Sequence, residues 1–324
     1  MRILATLLIL LALGWGGAWL VGARMIERSA ETWFAEQELA GMVADFEALS
    51  VGGFPMRMEL EVERVRLGDP RLATGWELPG LTAGWQATAP GRLQMALEGG
   101  HRLVVAGEML ELDAATLAGH VQIGGRALAL REVALEAASV RLAAASPELG
   151  GAALDRLDLR LEARPAAPQR LELALSLRGL VLEGLDGGPA TPLDRLDMTG
   201  QLLLDAPLDR HAVRPPQPVA LIVEAGTLVW GETRGRAEGR LDIDADGRPE
   251  GRIELEVTAW RPLLELAVAL GTLEPELAPT WERVLETLEE ADDRPGVLSM
   301  PLVYRAGRVS LGPLPLGPAP RLRF

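Results

Sequence analysis

Three aspartates spaced Asp242-x-Asp244-x-Asp246 and followed by Gly247 open like a calcium loop, in which alternate residues offer oxygen ligands and a glycine makes the sharp turn. The bidentate glutamate of such a loop would fall at Ile253, with Glu254 one place late. The same residues read better as a hairpin. Leu241, Ile243 and Ala245 face inward, Asp246-Gly247 turns, and Ile253, Leu255 and Val257 return, which leaves Asp242, Asp244, Glu254 and Glu256 on the solvent face. His101, His120 and His211 are far apart, so no ligand-spaced pair exists and no zinc site is expected. His101 follows Gly99-Gly100 and reads as a surface residue at a turn. Cysteine is absent, which removes a thiol nucleophile, a disulfide framework and a lipid-modified cysteine together. All 32 basic residues are arginine, so a Walker A loop, a Schiff-base lysine and a Ser-Lys dyad are excluded as well. No Gly-x-Ser-x-Gly elbow occurs, and the many carboxylates cannot be sorted into a catalytic pair by spacing alone. The expectation is a non-enzymatic protein with no catalytic residue, metal or cofactor.

The residues left with something to offer a ligand are large and apolar. Phe54, Trp76, Trp85, Trp230 and Trp260 are candidate contacts for a lipid, and each is equally suited to core packing. What positions them is a long series of alternating stretches. Met56, Met58, Leu60 and Val62 alternate with Arg57, Glu59, Glu61 and Glu63; the phase slips at Arg64, as at a bulge, and resumes with Val65 and Leu67. Similar stretches are 103–112, 119–123, 127–135, 140–144, 154–163, 171–177, 180–182, 196–204, 220–230, 235–245 and 251–259. Asp69-Pro70, Glu98-Gly99-Gly100, Gly124-Gly125, Asp186-Gly187-Gly188 and Asp246-Gly247 separate them, which predicts antiparallel hairpins and meanders. Alternation gives each strand one wet and one apolar face, so the sheet must form a groove, an open barrel or a sandwich. Gly231, Gly235 and Gly239 mark bends in this setting. Leu154-Asp-Arg-Leu-Asp158 recurs as Leu193-Asp-Arg-Leu-Asp197, each time leading into a strand, which is weak internal repetition.

Elsewhere the period is helical. Ile3 to Ala23 carries no charge, and about 20 apolar residues suffice to cross the roughly 30 Å core of a bilayer. Trp15 and Trp19 fall in its second half, at headgroup level in that reading, and Arg24 and Arg28 close it. It reads as a single-pass anchor with the amino terminus inside, or as a cleaved signal peptide; its length favours the anchor. Either way the body is exported. Met25 to Gly41 continues as a helix with Gly41 as its stop, while Trp33 and Phe34 pack on the domain. Late in the chain, residues 262–270 and 280–290 form a helical pair; Trp281, Val284, Leu285 and Leu288 share one face of the second. Strand returns over 297–311 and a proline-rich tail follows, 312–320. The expected divisions are 1–24 anchor or signal, 25–49 membrane-proximal helix, 50–259 antiparallel β domain, 260–292 helical pair, and 293–324 returning strand and tail.

Composition narrows the partners. Net charge is −14 at pH 7, which argues against nucleic acid and against docking on anionic headgroups. Hydrophobic residues are 48% of the chain, too many for a disordered one. Ser50-Val-Gly-Gly-Phe-Pro-Met-Arg57, Gly68-Asp69-Pro70, Trp76-Glu-Leu-Pro79 and the closing run from Gly307 to Gly317 resemble an alphaproteobacterial envelope family, domain of unknown function family 2125. The resemblance covers nearly the whole chain. It implies a bacterial inner-membrane protein with a β-rich body in the periplasm, and it carries no active-site residues. An anchor followed by serial amphipathic strands is also similar in architecture to the AsmA-like envelope proteins associated with lipid traffic. The resulting expectation is a mainly β protein with a large curved antiparallel sheet. It holds lipid or another amphiphile on an apolar sheet face; the alternative is a packed assembly module that binds another envelope protein.

Overall fold

In the computed structural model, the described residues are 2–86, 88–105, 107–144, 150–184, 192–269, 273–290, 294, 296–312 and 314–322; the side chains of 2–13, 90, 314 and 315 lie outside the description. One long helix opens the chain, α1 (Arg2–Leu39). Gly41 stops it in the left-handed conformation, φ +85°. Met42 N–H donates to Gln37 O and Gly41 N–H to Glu38 O, the paired bonds of a Schellman motif, so the expected stop has a geometric basis. Among the described residues no helix is long and apolar enough to cross a membrane. The expected span falls partly on residues 3–13, whose side chains lie outside the description.

The chain divides into two compact units, Met1–Gln122 with Val140–Ser146, and Ile123–Ser139 with Pro147–Phe324. The first holds α1 and the strands β1 (Val43–Asp45), β2 (Ala48–Gly52), β3 (Arg57–Asp69), β4 (Thr74–Gln86), β5 (Ala89–Glu98), β6 (His101–Val105), β7 (Glu108–Asp113) and most of β8 (Thr116–Gly124), with the end of β9 (Ala129–Ala144). All its pairings are antiparallel, with β3 central between β1 and β2 on one side and β4 on the other. Val62 and Val65 of β3, Leu78 of β4, Ala44 of β1 and Phe34 of α1 form its core. The phase slip at Arg64 is real but is not a bulge against β4. Glu63 faces Gly80 and Val65 faces Leu78 without a shift; Arg64 instead takes φ +47°, which turns both Val62 and Val65 inward.

The second unit is a meander of β10 (Gly151–Arg164), β11 (Ala167–Glu183), β12 (Leu193–Leu204), β13 (Pro218–Trp230), β14 (Thr233–Ile243), β15 (Pro249–Thr258), β16 (Val297–Arg305), β17 (Arg308–Leu311) and β18 (Leu314–Pro318), each antiparallel to the next. The helical pair interrupts it after β15 as α2 (Arg261–Ala269) and α3 (Ala278–Glu290). Trp260, Leu285, Leu298 and Met300 close a core between the pair and β16. Trp260 donates through Nε1 to Glu289, 2.9 Å away, and Arg261 lies 4.8 Å over its ring. The mainly β fold, the antiparallel pairing and the helical pair are therefore as expected. The Asp186-Gly187-Gly188 turn lies outside the described residues.

Candidate functional site

Successive residues of a strand point to opposite faces, so register alone assembles the larger surface in the second unit. Leu157, Leu159 and Leu161 of β10 face Leu177, Leu175 and Leu173 of β11. The same three rows continue as Leu196, Met198 and Gly200 on β12, then Leu228, Gly226 and Val223 on β13. They run on through Gly235, Ala237 and Gly239 to Val257, Leu255 and Ile253, and end at Leu298, Met300 and Leu302 of β16. The opposite face is charged. Arg156 and Asp158 pair at 2.7 Å, Arg195 pairs with Asp197, and Arg240 with Asp242 at 2.6 Å. The Arg156 hydrogen bond holds the Asp158 carboxyl below its ordinary range.

The margins of the apolar face are sealed. Ala163, Leu171 and Leu204 pack with Leu130 at one side, and Ile253, Leu298 and Met300 are buried at the other. Between them the leucines of β10 and β11, with Leu196 and Met198, are only half-buried. Glycines at 200, 226, 235 and 239 stand in these rows where neighbouring strands come close: a Cβ at Gly200 would lie 2.0 Å from Ile222 O and one at Gly239 2.3 Å from Arg252 O. Val223, Leu241 and Ile253 form a buried cluster with Met198 and Leu255 packed against it, so the surface this apolar face keeps to offer lies mainly on β10, β11 and Leu196.

The first unit carries a different feature, a cleft of about 810 Å³ lined by His101 and by charged residues of β3, β4 and β7. His101 is 2% exposed, and neither ring nitrogen has a hydrogen-bond partner. Burial holds its imidazole below the ordinary value of 6.5, with the Asp113 charge pulling the other way. Trp76 lies 6.0 Å from it, ring to ring, with Nε1 also buried and without a partner. Arg102 pairs with Glu77 at 3.2 Å, Arg64 with Glu47 and Arg66 with Asp45.

A family model described as an uncharacterized protein conserved in bacteria, DUF2125, matches residues 19–320. The chain belongs to the DUF2125 family. No curated protein and no solved structure matches it.

In this DUF2125 chain the five aromatic candidates divide between the two units. Phe54, Trp76 and Trp85 belong to the first unit, Trp230 and Trp260 to the second. Phe54 is 56% exposed and packs edge-on against Trp19 at 5.5 Å. Trp15 and Trp19 donate to the carbonyls of Pro55 and Arg57, both at 2.9 Å, which ties α1 to the turn before β3. Trp76 and Trp85 are half-buried on β4, Trp230 ends β13 at 7% exposure, and Trp260 at 2% is core. The aspartate run makes the expected hairpin. Asp244 Oδ1 accepts the amides of Asp246 and Arg248 at 2.8 and 2.9 Å, and no metal-ligating group of three is found among the described residues. His120 sits against Arg92 at 3.0 Å and His211 is exposed.

His101 corrects the sequence reading, because it is buried and not a surface turn residue. Gly99, φ +76°, completes the reversal early, so β6 already begins at His101, which pairs with Leu112. The available signal was phase: His101 is two residues before Leu103 and shares its face.

Proposed function

We propose that this protein is a non-enzymatic, membrane-anchored periplasmic protein that holds lipid or another amphiphile against the apolar face of β10–β16 in envelope maintenance. One observation carries the reading: the leucine rows of β10, β11 and β12 are half-buried while the margins of the same face are sealed. A packed sandwich would bury those rows to the level of the margins. Strands lie about 4.8 Å apart, so the five steps from β10 to β15, short of the sealed margin, run roughly 24 Å; one leaflet's acyl region is about half of a ~30 Å core. A row is long enough to bed an acyl chain. The anchor reading draws on the uncharged run from Ile3 to Ala23 and on the outward apolar surface at its end, where Leu20, Val21 and the following Met25 are more than half exposed at 53%, 65% and 65%.

Blocking that face tests the reading. Leu175→Trp with Met198→Trp fills two adjacent positions of one row, and Ala174→Trp places the same bulk on the opposite face of β11. The account predicts that lipid co-purifying with the full-length protein falls severalfold in the double variant and stays at the wild-type level in Ala174→Trp, with unchanged far-UV circular dichroism in both. Equal lipid in all three would overturn it and favour a packed module that binds an envelope protein.

A further inference from the structure

The turn between β2 and β3 docks on the apolar run of α1. Trp15 and Trp19 donate from Nε1 to Pro55 O and Arg57 O, both at 2.9 Å. Phe54 packs on Trp19, and a Cβ at Gly22 would lie 2.7 Å from Met58 Cε, so the turn and the start of β3 hold α1 from residue 15 to residue 22. Phe54, Pro55 and Met56 form the tip of the turn, and all three are exposed. None has a polar side chain. Part of the tip's backbone is satisfied within the protein: Pro55 has no N–H, its carbonyl and that of Arg57 accept the two indoles, and Arg57 N–H donates to Gly53 O at 2.9 Å. Such bonding suits a segment in surroundings poor in water.

Helix length places this tip, given the reading of α1 as a membrane anchor, on which the inference rests. Between Arg2 and Trp15 lie 12 uncharged residues, about 18 Å of helix at ~1.5 Å per residue, against a hydrocarbon core of roughly 30 Å. A span that begins after Arg2 therefore needs the stretch from Trp15 to Ala23, the same stretch on which the turn docks. Charge marks its far boundary. Arg24, Arg28 and Arg57 are exposed and have no ion-pair partner among the described residues, whereas Arg64, Arg66 and Arg102 of the same unit are paired with carboxylates. Unpaired guanidinium groups on long stems reach lipid phosphates. With Arg24 at the phosphates, Trp19 and Trp15 lie about 8 and 13 Å further towards the bilayer centre along an upright helix. The tip lies with them, at the depth where indoles and interfacial apolar side chains settle.

We propose that Phe54, Pro55 and Met56 form a second membrane contact, entering the head-group and upper acyl region of the bilayer beside α1, with Arg24, Arg28 and Arg57 on the lipid phosphates. The first unit is thereby held to the bilayer by the turn as well as by the helix, which restricts its rotation about the anchor.

The chain has no cysteine, so single labels test the contact in the full-length protein, reconstituted in vesicles of phosphatidylethanolamine and phosphatidylglycerol. Met56→Cys and Phe54→Cys each place an environment-sensitive fluorophore at the tip; Leu11→Cys reports on the anchor, and Val213→Cys, at a fully exposed position of the second unit, reports on water. The expected result is blue-shifted emission at positions 54 and 56, quenched roughly twofold or more by lipid spin-labelled near the top of its acyl chain, with position 11 quenched by lipid labelled deeper and position 213 unaffected. Quenching at position 11 with water-like emission at 54 and 56 overturns the proposal and leaves the anchor standing. Water-like emission at position 11 as well removes the anchor and the proposal together. A blue shift at 54 and 56 that lipid spin labels do not quench means that protein covers the tip, and this too overturns the proposal.

Discussion

A buried histidine whose ring is unpartnered makes a fold sensitive to acid. The folded value of His101 lies below its ordinary 6.5 because burial opposes the charged form. As pH falls through about 6.5 the unfolded chain takes up the proton before the folded chain does, so this contribution to stability is complete above that pH and is lost below it. The unfolding midpoint of the full-length protein should therefore hold steady from pH 8 to about 6.5 and decline beneath, and His101→Leu should remove that part of the decline. An identical pH profile in the variant would contradict the assignment. Single residues were legible where periodicity constrained them. The repeat Leu-Asp-Arg-Leu-Asp lies in the first half of β10 and opens β12, and its Arg and second Asp pair within each strand, Arg156 with Asp158 and Arg195 with Asp197. The first Asp of each copy meets a glycine of a neighbouring strand or turn: Asp155 crowds Gly179, and Asp194 accepts the amide of Gly231 at 2.8 Å. His101 was misread because a Gly-Gly pair signals a turn without saying how soon the next strand starts.

Elements were read more securely by period than by composition. Three glycines and Pro79 make the segment 74–86 look like successive turns, yet it is the single strand β4, bonded to β3 along nearly its whole length. Positions 127–135 and 140–144 read as two stretches because the phase reverses between them; a left-handed residue, Ser139 at φ +51°, lets β9 continue through the reversal. Gly179 at φ +64° does the same for β11. The helical pair was visible in its apolar stripe, but its anchor was not: Trp260, read as a ligand candidate, is sealed beneath α3 by Leu285 and Leu298. Trp260→Ala should lower stability by about 3–5 kcal/mol, from the lost packing and the cavity left behind. Guanidinium unfolding followed by circular dichroism measures it, and a loss below about 1 kcal/mol would show that the pair docks weakly.

At the scale of the whole molecule, sequence alternation foresaw a sheet with one wet and one apolar face and left open how that face is used. Register supplies the difference. Seven consecutive strands align their apolar residues into rows, interrupted by glycines where neighbouring strands approach closely. Burial, which no alternation pattern contains, divides the face into sealed margins and half-buried leucines. The net charge of −14 and the absence of cysteine and lysine restrict the chemistry available to the chain. The central claim is that this face is occupied by an amphiphile. Native mass spectrometry of the full-length protein, extracted gently from membranes and followed by solvent extraction of whatever remains bound, tests it most directly. The account predicts a stoichiometric phospholipid or glycolipid adduct. A clean apo mass that takes up nothing when lipid is added back would contradict it.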